Sequence, residues 1–312
     1  MKISIIGSGA MGSLFGGKLA QAGEKVILYD VYKEHVNAVN REGLSIEDAG
    51  TGDITVVHPE ASAEPESVAE SDVLIIFVKS TTTEEVAAQF KAFARPHTIV
   101  LTLQNGLGND EILRRHFGSE RTAVGVTSQG ATFLGPGKIR HAGKGPTHIS
   151  MADGREEKLA ALAEALSRAG FETHISAEVT SLVWSKLIIN IGINALTALL
   201  NVKNGRLLEF EDVKAIMADL VNEALAVASR KNIRLIYDDP LATVYDVAMK
   251  TASNTSSMLQ DFQRNRQTEI DFINGAIVKE AKKLGMPVPV NETITRLVRT
   301  LDTLHSQKGD QQ

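Results

Sequence analysis

Three polar residues share one predicted face of a mostly apolar helical segment, residues 178–200. Lys186, Asn190 and Asn194 are spaced i, i+4 and i+8, which aligns their side chains along one stripe of an α-helix. The neighbouring positions are mostly Leu, Ile and Val, so we expect the stripe to be buried, where polar groups need partners. A lysine that extends its ammonium to solvent and two amides that bond nearby loops would explain the stripe structurally. We favour a functional explanation, because a charged group on a buried helical face is uncommon.

The chemistry that suits a lysine in this setting is the reduction of a ketone. Hydride addition leaves negative charge on the carbonyl oxygen, and a protonated Lys186 beside that oxygen would stabilise the charge and supply the proton. General acid catalysis contributes about 10²–10⁴ in rate, and a fixed charge at a developing oxyanion contributes on the order of 10²–10³. An ordinary lysine, with a pKa of about 10.4, carries its proton at neutral pH. Lys186 is therefore the predicted catalytic residue.

A glycine-rich loop follows the first predicted strand and opens the first predicted helix. The loop consists of Gly7, Ser8, Gly9, Ala10, Met11 and Gly12. Gly7 permits a tight turn, Gly9 lets the backbone approach a pyrophosphate, and Gly12 lets the helix and the strand pack closely. Phosphates bind at such a helix N-terminus, where free N–H groups and the helix dipole favour anions. The strand–loop–helix context predicts that this loop binds a dinucleotide.

Asp30 ends the second predicted strand, 18 residues after Gly12, at the position where an acid binds the adenine ribose. A carboxylate there accepts from a free 2′-hydroxyl and repels a 2′-phosphate, and no Arg follows it. The sequence therefore favours NAD over NADP as the cofactor. Two alternatives stay open, because Lys33 could still reach a phosphate and Asp30 could merely end the strand.

Four further polar residues lie at the ends of predicted elements. Lys79 closes a later strand, where it would meet the dinucleotide or lie in solvent as an ordinary lysine. Asn105 would orient the ribose or the substrate, although an Asn before a Gly is usually a turn. Ser257 precedes a helical pattern, where it could cap the helix or bind a substrate carboxylate. Glu269 begins another helix, and spacing alone does not decide between a dipole interaction and a role beside Lys186.

The elements that must position these residues follow two patterns. Up to residue 177, short Val- and Ile-rich runs alternate with amphipathic segments, as in parallel strands buried on both faces with helices between them. The predicted strands are Lys2–Ile6, Lys25–Tyr29, Val73–Val78, Thr98–Leu103 and Thr122–Thr127, and the predicted helices are Met11–Ala22 and Thr83–Ala94, the second with a capping box from Thr82 to Glu85. A Gly- and Pro-rich stretch over 131–151 predicts antiparallel strands, followed by a helix over 155–169 and a strand over 171–175.

The rest of the chain shows helical patterns alone. They cover 178–200, 211–231, 240–251, 257–265, 268–284 and 291–304. We therefore expect an α/β protein with two domains. Residues 1–177 form a Rossmann-like doubly wound sheet that binds the dinucleotide, and residues 178–312 form an all-helical domain that carries the substrate-binding and catalytic residues.

The composition excludes several kinds of site and partner. The 312 residues include no Cys, which excludes disulfides and Cys-ligated metals, and the eight His lack metal-site spacing, so we predict no metal. The net charge of −5 gives no basic surface for nucleic acid. The longest apolar stretch, 187–200, is shorter than the ~18 residues of a membrane span. With no targeting segment recognised, we expect a cytoplasmic protein, and its helical domain would allow a homodimer.

The sequence resembles the ketopantoate reductase (2-dehydropantoate 2-reductase) family over nearly its whole length. The similar segments are GSGAMG at the start, QNGLG at 104–108, WSKLIINIGINALTAL at 184–199, SSMLQD at 256–261 and RQTEIDFINGAI at 266–277. The resemblance implies a reduction of 2-dehydropantoate to pantoate by NADPH, a step toward pantothenate and coenzyme A. It also implies residue roles: a catalytic Lys186, active-site Asn105, Asn190 and Asn194, substrate-binding Ser257 and Glu269, and a cofactor-contacting Lys79.

One departure from the family concerns the cofactor. Family members that use NADPH usually carry a basic residue just after the second strand, whereas this chain has Asp30-Val31 there, which is compatible with an NAD-using variant. Three other functions are alternatives: reduction of another small 2-oxo acid, a hydroxyacid or polyol-phosphate dehydrogenase, and a dinucleotide-binding regulator without turnover. A phosphorylated substrate would need basic groups, and a regulator would have no need of the Lys186 stripe.

Overall fold

The computed structural model describes residues 1–309, which divide by their contacts into two units. The α/β unit comprises Met1–Gln104 and Asn109–Val179. The helical unit comprises Asn105–Gly108 and the chain from Thr180 onward. The short segment 105–108 therefore packs with the helices, although both of its ends continue into the α/β unit.

Strands and helices alternate in the α/β unit. Its strands are β1 (Lys2–Ile6), β2 (Lys25–Tyr29), β3 (Leu44–Asp48), β4 (Ile54–Val57), β5 (Glu60–Ser62), β6 (Val73–Ile76), β7 (Ile99–Thr102), β8 (Thr122–Thr127), β9 (Gly130–Gly135), β10 (Lys138–Gly143), β11 (Thr147–Met151) and β12 (Thr173–Ile175). Its helices are α1 (Ala10–Gln21), α2 (Lys33–Glu42), α3 (Thr83–Phe90), α4 (Asn109–Phe117) and α5 (Ala160–Arg168).

The main sheet has the strand order β12-β11-β8-β7-β6-β1-β2-β5. Its neighbours run parallel, except that β11 runs antiparallel to β8. The order reverses at β1, because β2 lies on one side of it and β6 on the other. Ligands of doubly wound sheets bind outside the carboxyl ends of the strands at such a reversal. The loops after β1 and β6 are the two that carry the glycine-rich loop and Lys79.

A second sheet, of order β4-β3-β10-β9, belongs to the same unit. The antiparallel hairpin of β9 and β10 agrees with the turn prediction for this stretch. Leu44 and Ile46 of β3 join the same buried apolar cluster as Leu14 and Phe15 of α1. The second sheet therefore packs against the helix that the glycine-rich loop opens.

The helical unit is built around a long apolar helix. Its helices are α6 (Val179–Leu200), α7 (Glu211–Arg230), α8 (Pro240–Lys250), α9 (Ser257–Gln263), α10 (Asn274–Leu284) and α11 (Pro289–Gly309). Trp184, Leu187, Ile188 and Ile191 of α6 lie in one buried cluster with Leu220 of α7. Burial of an apolar helix against its neighbours is the main source of helical stability in proteins.

α6 is longer than the apolar stretch that the sequence delimits. It has 22 residues and is the single helix within 1–309 that is long and apolar enough to cross a membrane. Of its most apolar window, 67% is buried inside the fold. A core helix of a folded domain passes the same test, so length and composition are weak evidence for a membrane span.

Two local predictions are wrong. Thr82 is the N-cap residue of α3, but its side chain forms no capping box, because its Oγ1 donates to the carbonyl oxygen of Lys79 at 2.9 Å. The helix predicted over 268–284 starts only at Asn274. It is preceded by a 3₁₀ segment, Ile270–Phe272, and by Ile273, whose φ of −109° and ψ of −96° are not helical.

Candidate functional site

The polar stripe of α6 lies in the helical unit as the sequence predicts. Lys186 and Asn190 are half-buried, and Asn194 is 7% exposed. The apolar residues that flank them pack into the core of the unit. The three side chains therefore lie on a mostly apolar helix, and such polar groups need partners from other elements.

The ammonium of Lys186 is shifted toward its neutral form. Burial lowers the pKa of Lys186 to about 8, because the charged form loses hydration, while the negative charge of Glu269 opposes the shift. A lysine with a pKa near 8 can both donate and accept a proton at the pH of a cell. Strongly shifted pKa values are typical of functional sites.

Glu269 is 6% exposed and lies at the turn that precedes the 3₁₀ segment. The adjacent Thr268 fixes this turn, because its Oγ1 donates to Asp302 of α11 at 2.8 Å. The Thr268 amide also points at Asp302, at 3.3 Å. Asp302 of α11 therefore fixes, through Thr268, the turn that carries Glu269, and Glu269 is the carboxylate that acts on Lys186. Sequence spacing gave no signal for Asp302, because it is 33 positions away and lies on a different helix.

Asn105 belongs to the four-residue segment 105–108, which contacts the 3₁₀ segment that follows Glu269. The Leu107 N–H donates to the carbonyl oxygen of Phe272 at 2.9 Å, and the Phe272 N–H donates to the carbonyl oxygen of Glu269 at 3.0 Å. Gly106, with φ +85°, lies against that Phe272 carbonyl so closely that a Cβ would overlap it. The segment therefore attaches Asn105 to the turn that carries Glu269.

Ser257 is the first residue of α9, and the residue before it joins α9 to α6. The Leu259 N–H donates to Ser256 Oγ at 3.1 Å, and Ser256 Oγ lies 2.7 Å from Thr197 Oγ1. Thr197 Oγ1 donates in turn to the carbonyl oxygen of Asn194 at 2.8 Å. Ser256 is thus the helix cap, which leaves the capping alternative for Ser257 without support. The bonded chain brings Ser257 close to the end of the α6 stripe.

The glycine-rich loop of the α/β unit has the geometry that its three glycines predict. Gly7 has φ +91°, and a Cβ on it would lie 2.7 Å from the Val78 nitrogen. A Cβ on Gly12 would overlap the carbonyl oxygen of Gly7. Gly9, in contrast, is exposed and has nothing within 4 Å of a Cβ position. The turn and the helix packing need Gly7 and Gly12, and Gly9 leaves open space beside the loop.

The N-terminus of α1 offers backbone donors to an anion. Gly9 is its N-cap, no side chain caps it in the described structure, and its first turn contains no acidic residue. A helix N-terminus of this kind attracts phosphate through free N–H groups and the helix dipole. The residues present therefore fit a dinucleotide pyrophosphate.

Asp30 lies next to this loop. Its Oδ2 accepts from Ser8 Oγ at 3.3 Å, and its Oδ1 accepts from the Tyr32 N–H at 3.0 Å. Each carboxylate oxygen can accept a further hydrogen bond. Lys79 precedes the 3₁₀ segment Ser80–Thr82 that follows β6, at the carboxyl end of the strand beside β1.

The structure groups the predicted site residues in two sets. The set predicted to bind the oxo acid belongs to the helical unit and consists of Asn105, which is also predicted to contact the cofactor, Lys186, Asn190, Asn194, Ser257 and Glu269. The dinucleotide set belongs to the α/β unit and consists of Gly7, Ser8, Gly9, Ala10, Met11, Gly12, Asp30 and Lys79. Within residues 1–309, no three His, Asp or Glu side chains are arranged to hold a metal ion.

The sequence matches the family of ketopantoate reductases in both halves. The family "Ketopantoate reductase PanE/ApbA" matches residues 3–154, and its C-terminal counterpart matches residues 178–302. The chain belongs to the ketopantoate reductase family. It is therefore an oxidoreductase with a Rossmann-like α/β part and a helical C-terminal part.

Named relatives agree with this assignment. The 2-dehydropantoate 2-reductase of Halobacterium salinarum is 36% identical over 302 residues, 96% of this chain and 98% of that one. The enzyme of the same name from Pyrococcus abyssi is 35% identical over 309 residues, 99% of this chain and 100% of that one.

Solved structures share the whole fold. A PanE/ApbA family ketopantoate reductase from Ralstonia eutropha superposes with a TM-score of 0.90 at 35% identity, covering 98% of this chain and 100% of that one. A D-mandelate dehydrogenase in a ternary structure with NADH and anilino(oxo)acetate also gives a TM-score of 0.90, at 30% identity and the same coverage.

Proposed function

We propose that this protein reduces the ketone of 2-dehydropantoate to the alcohol of pantoate, with a nicotinamide dinucleotide as the hydride donor. The observation that carries the proposal is the half-buried Lys186, with its pKa lowered to about 8 and with Glu269 as its charged neighbour. Family membership and the names of the relatives support the substrate. The reaction belongs to the formation of pantothenate.

The glycine-rich loop, Asp30 and Lys186 have different roles in the proposed reaction. The glycine-rich loop binds the pyrophosphate, and Asp30 accepts from the ribose hydroxyls. A nicotinamide dinucleotide held by these residues would supply a hydride to the carbonyl carbon. Lys186 donates a proton to the carbonyl oxygen, which prevents negative charge from accumulating there.

The remaining oxo-acid residues bind and orient the substrate. Asn190 and Asn194 share the stripe of Lys186, so their amides can bond the oxygens of a small oxo acid. The Ser257 hydroxyl donates a hydrogen bond to the substrate. Asn105 of segment 105–108 orients the substrate, and Glu269 accepts a hydrogen bond from a substrate hydroxyl. Glu269 also favours the charged form of Lys186, because its charge raises the pKa of that lysine.

A panel of small 2-oxo acids tests the substrate most directly. We expect 2-dehydropantoate to give the highest kcat/KM when oxidation of the reduced cofactor is followed at 340 nm. The D-mandelate dehydrogenase with NADH and anilino(oxo)acetate makes an aryl 2-oxo acid the second candidate, and benzoylformate should be included as its representative. A higher kcat/KM for benzoylformate would replace our substrate, and no turnover with any oxo acid would favour a dinucleotide-binding regulator.

We also propose that NADH is preferred over NADPH. The support is Asp30, whose carboxylate would repel a 2′-phosphate, together with the NADH bound by the mandelate dehydrogenase relative. We expect a higher kcat/KM with NADH in the parent, and a smaller ratio of the two values in Asp30→Ala. A parent that strongly prefers NADPH would overturn this part of the proposal. Asp53→Ala, on an exposed turn of the same unit, is the control.

The cellular setting is part of the proposal. A chain without Cys fits the cytoplasm, and a cytoplasmic oxidoreductase has reduced dinucleotides available. The homodimer that the sequence allows stays a prediction, for which light scattering of the purified protein is the measurement.

A further inference from the structure

His35 is a buried histidine for which the proposed reaction has no use. It lies in α2 and is 1% exposed. Burial lowers the pKa of His35, and the charge of Asp30 opposes that shift. The centre of the His35 ring also lies 5.2 Å from the centre of the Phe133 ring in β9. A polar ring buried this deeply requires partners for both nitrogens.

The hydrogen bonds of His35 define its tautomer. Nδ1 lies 3.0 Å from the backbone nitrogen of Gly137. A peptide N–H can only donate, so Nδ1 must be the acceptor. In the neutral ring the proton then resides on Nε2, which lies 3.1 Å from Ser13 Oγ. His35 therefore donates to Ser13.

The chain of donors continues into the glycine-rich loop. Ser13 Oγ donates to the carbonyl oxygen of Ser8 at 2.6 Å. If the Ser13 hydroxyl pointed at His35 instead, the Nδ1–H of the ring would face the Gly137 N–H, and the Ser8 carbonyl would lose its donor. The Gly137 N–H, 102 residues from His35 in the sequence, thus sets the direction of these hydrogen bonds from His35 to Ser8.

The last of these hydrogen bonds, from Ser13 Oγ to the Ser8 carbonyl oxygen, fixes the orientation of one peptide group of the loop. The Ser8–Gly9 peptide is trans, so its C=O and N–H point in opposite directions. A Ser8 carbonyl held by Ser13 therefore directs the Gly9 N–H away from Ser13. Gly9 is the exposed N-cap of α1, with open space beside it.

We propose that His35 is a positioning residue for the cofactor: through Ser13 it holds the Ser8–Gly9 peptide in the orientation that binds the pyrophosphate. This inference rests on the proposed function, in which the loop binds a dinucleotide. The β9–β10 hairpin takes part through Gly137, whose N–H selects the tautomer of His35. His35 acts through Ser13 and touches neither substrate nor cofactor.

Two substitutions of His35 separate the two ends of the ring. His35→Gln keeps an amide donor near the Nε2 position and loses the Nδ1 acceptor. His35→Asn keeps an acceptor near Nδ1 and has no atom near Nε2. We expect the Gln variant to bind the cofactor within about twofold of the parent. The Asn variant should bind it about 3- to 10-fold more weakly, the effect of one neutral hydrogen bond.

Ser13→Ala provides the second variant and closes a double-mutant cycle. We expect Ser13→Ala alone to weaken cofactor binding by a factor similar to that of His35→Asn. Adding His35→Asn to Ser13→Ala should change cofactor affinity no further, because the path through Ser13 is already lost. The KM for the oxo acid should stay near the parent value in every variant. Binding is measured by fluorescence titration with whichever of NADH and NADPH the parent binds more tightly.

The tautomer gives a readout that needs no cofactor. The ¹⁵N shifts of His35 in the unliganded protein should report a proton on Nε2 and none on Nδ1. A proton on Nδ1, equal cofactor affinity of the Gln and Asn variants, or additive losses in the double mutant would each overturn the positioning role. In those outcomes a parent that binds the cofactor leaves the proposed function standing, whereas a parent that binds neither dinucleotide overturns both.

Discussion

A lysine with a pKa of about 8 has properties that a surface lysine lacks. Its proton is released more easily, so it is a stronger acid toward a developing alkoxide. It is still charged in most molecules at neutral pH, and the carboxylate of Glu269 favours the charged form. Burial and charge therefore act in opposite directions on one ammonium, and the balance sets the pH range of activity.

The pH profile of the reaction follows from this pKa. Reduction needs the charged lysine, so kcat/KM for 2-dehydropantoate should fall about tenfold per pH unit above pH 8. Oxidation of pantoate needs the neutral lysine, so its kcat/KM should rise through the same pH and then level off. Steady-state rates from pH 6 to 10 measure both limbs, which report the pKa of the free enzyme. A flat reductive profile up to pH 9.5 would be incompatible with Lys186 as the acid.

Replacing Glu269 by Gln should move that profile. The charge of Glu269 raises the pKa of Lys186, so Glu269→Gln should shift the fall of the reductive kcat/KM to a lower pH. The KM for the oxo acid should also rise, because an acceptor for the substrate hydroxyl becomes weaker. Glu292→Gln on α11, whose partner is Arg296, is the control and should leave both quantities unchanged. A shift to higher pH in Glu269→Gln would mean that Lys186 senses a different charge.

At the scale of elements, the attachment of segment 105–108 to the 3₁₀ segment is the least obvious feature of the fold. The segment continues from the loop after β7 but packs with the helical unit. Its packing depends on Gly106, where the Phe272 carbonyl leaves no room for a Cβ. Gly108 also has a positive φ, +98°, but has nothing within 4 Å of a Cβ position.

This pair of glycines gives a matched experiment. Both Gly106→Ala and Gly108→Ala place a Cβ on left-handed backbone, at a cost of roughly 1–2 kcal/mol. Gly106→Ala alone creates an overlap, so it should displace Asn105 and lower kcat/KM for the oxo acid at least about tenfold more than Gly108→Ala does. Rates and thermal unfolding of both variants are the measurements. Equal losses in the two variants would show that contact with Phe272 is unimportant for activity.

Sequence periodicity predicted the elements whose burial is uniform. β1 and β2 have the predicted bounds, and every residue after the first is buried in each of them, because apolar runs of this kind mark strands buried on both faces. β3 and β4 were not predicted, since both are short and only partly buried, with Ile54 and Val56 of β4 exposed. The break at Ile273 was also missed, because the apolar pattern continues across it while the backbone does not.

The candidate site shows the same division between local and distant signals. The stripe of Lys186 was visible because helical spacing aligns its members. The link from Glu269 to Asp302 through Thr268 and the link from Gly137 to Ser8 through His35 were not visible. They join residues that lie far apart in the chain, and only tertiary packing brings their side chains together.

At the scale of the whole molecule, the two units carry different parts of the chemistry. In the proposed reaction, the α/β unit supplies the loop and the carboxylate for a dinucleotide, and the helical unit supplies the proton donor and the amides for an oxo acid. Substitutions of Lys186, Asn190 and Asn194 should therefore change turnover and leave the affinity for the cofactor unchanged. In this division, Lys186 is the residue that donates the proton.

The most direct measurement compares the parent with Lys186→Met, which keeps the length of the side chain and removes the ammonium. With 2-dehydropantoate and NADH at pH 7, we expect kcat to fall by about 10²–10⁴, while the Kd for NADH stays within about twofold of the parent. Lys250→Met on the exposed side of α8 should behave as the parent. A Lys186→Met enzyme with near-parental kcat would contradict the account, because the reaction would then draw its proton from another group.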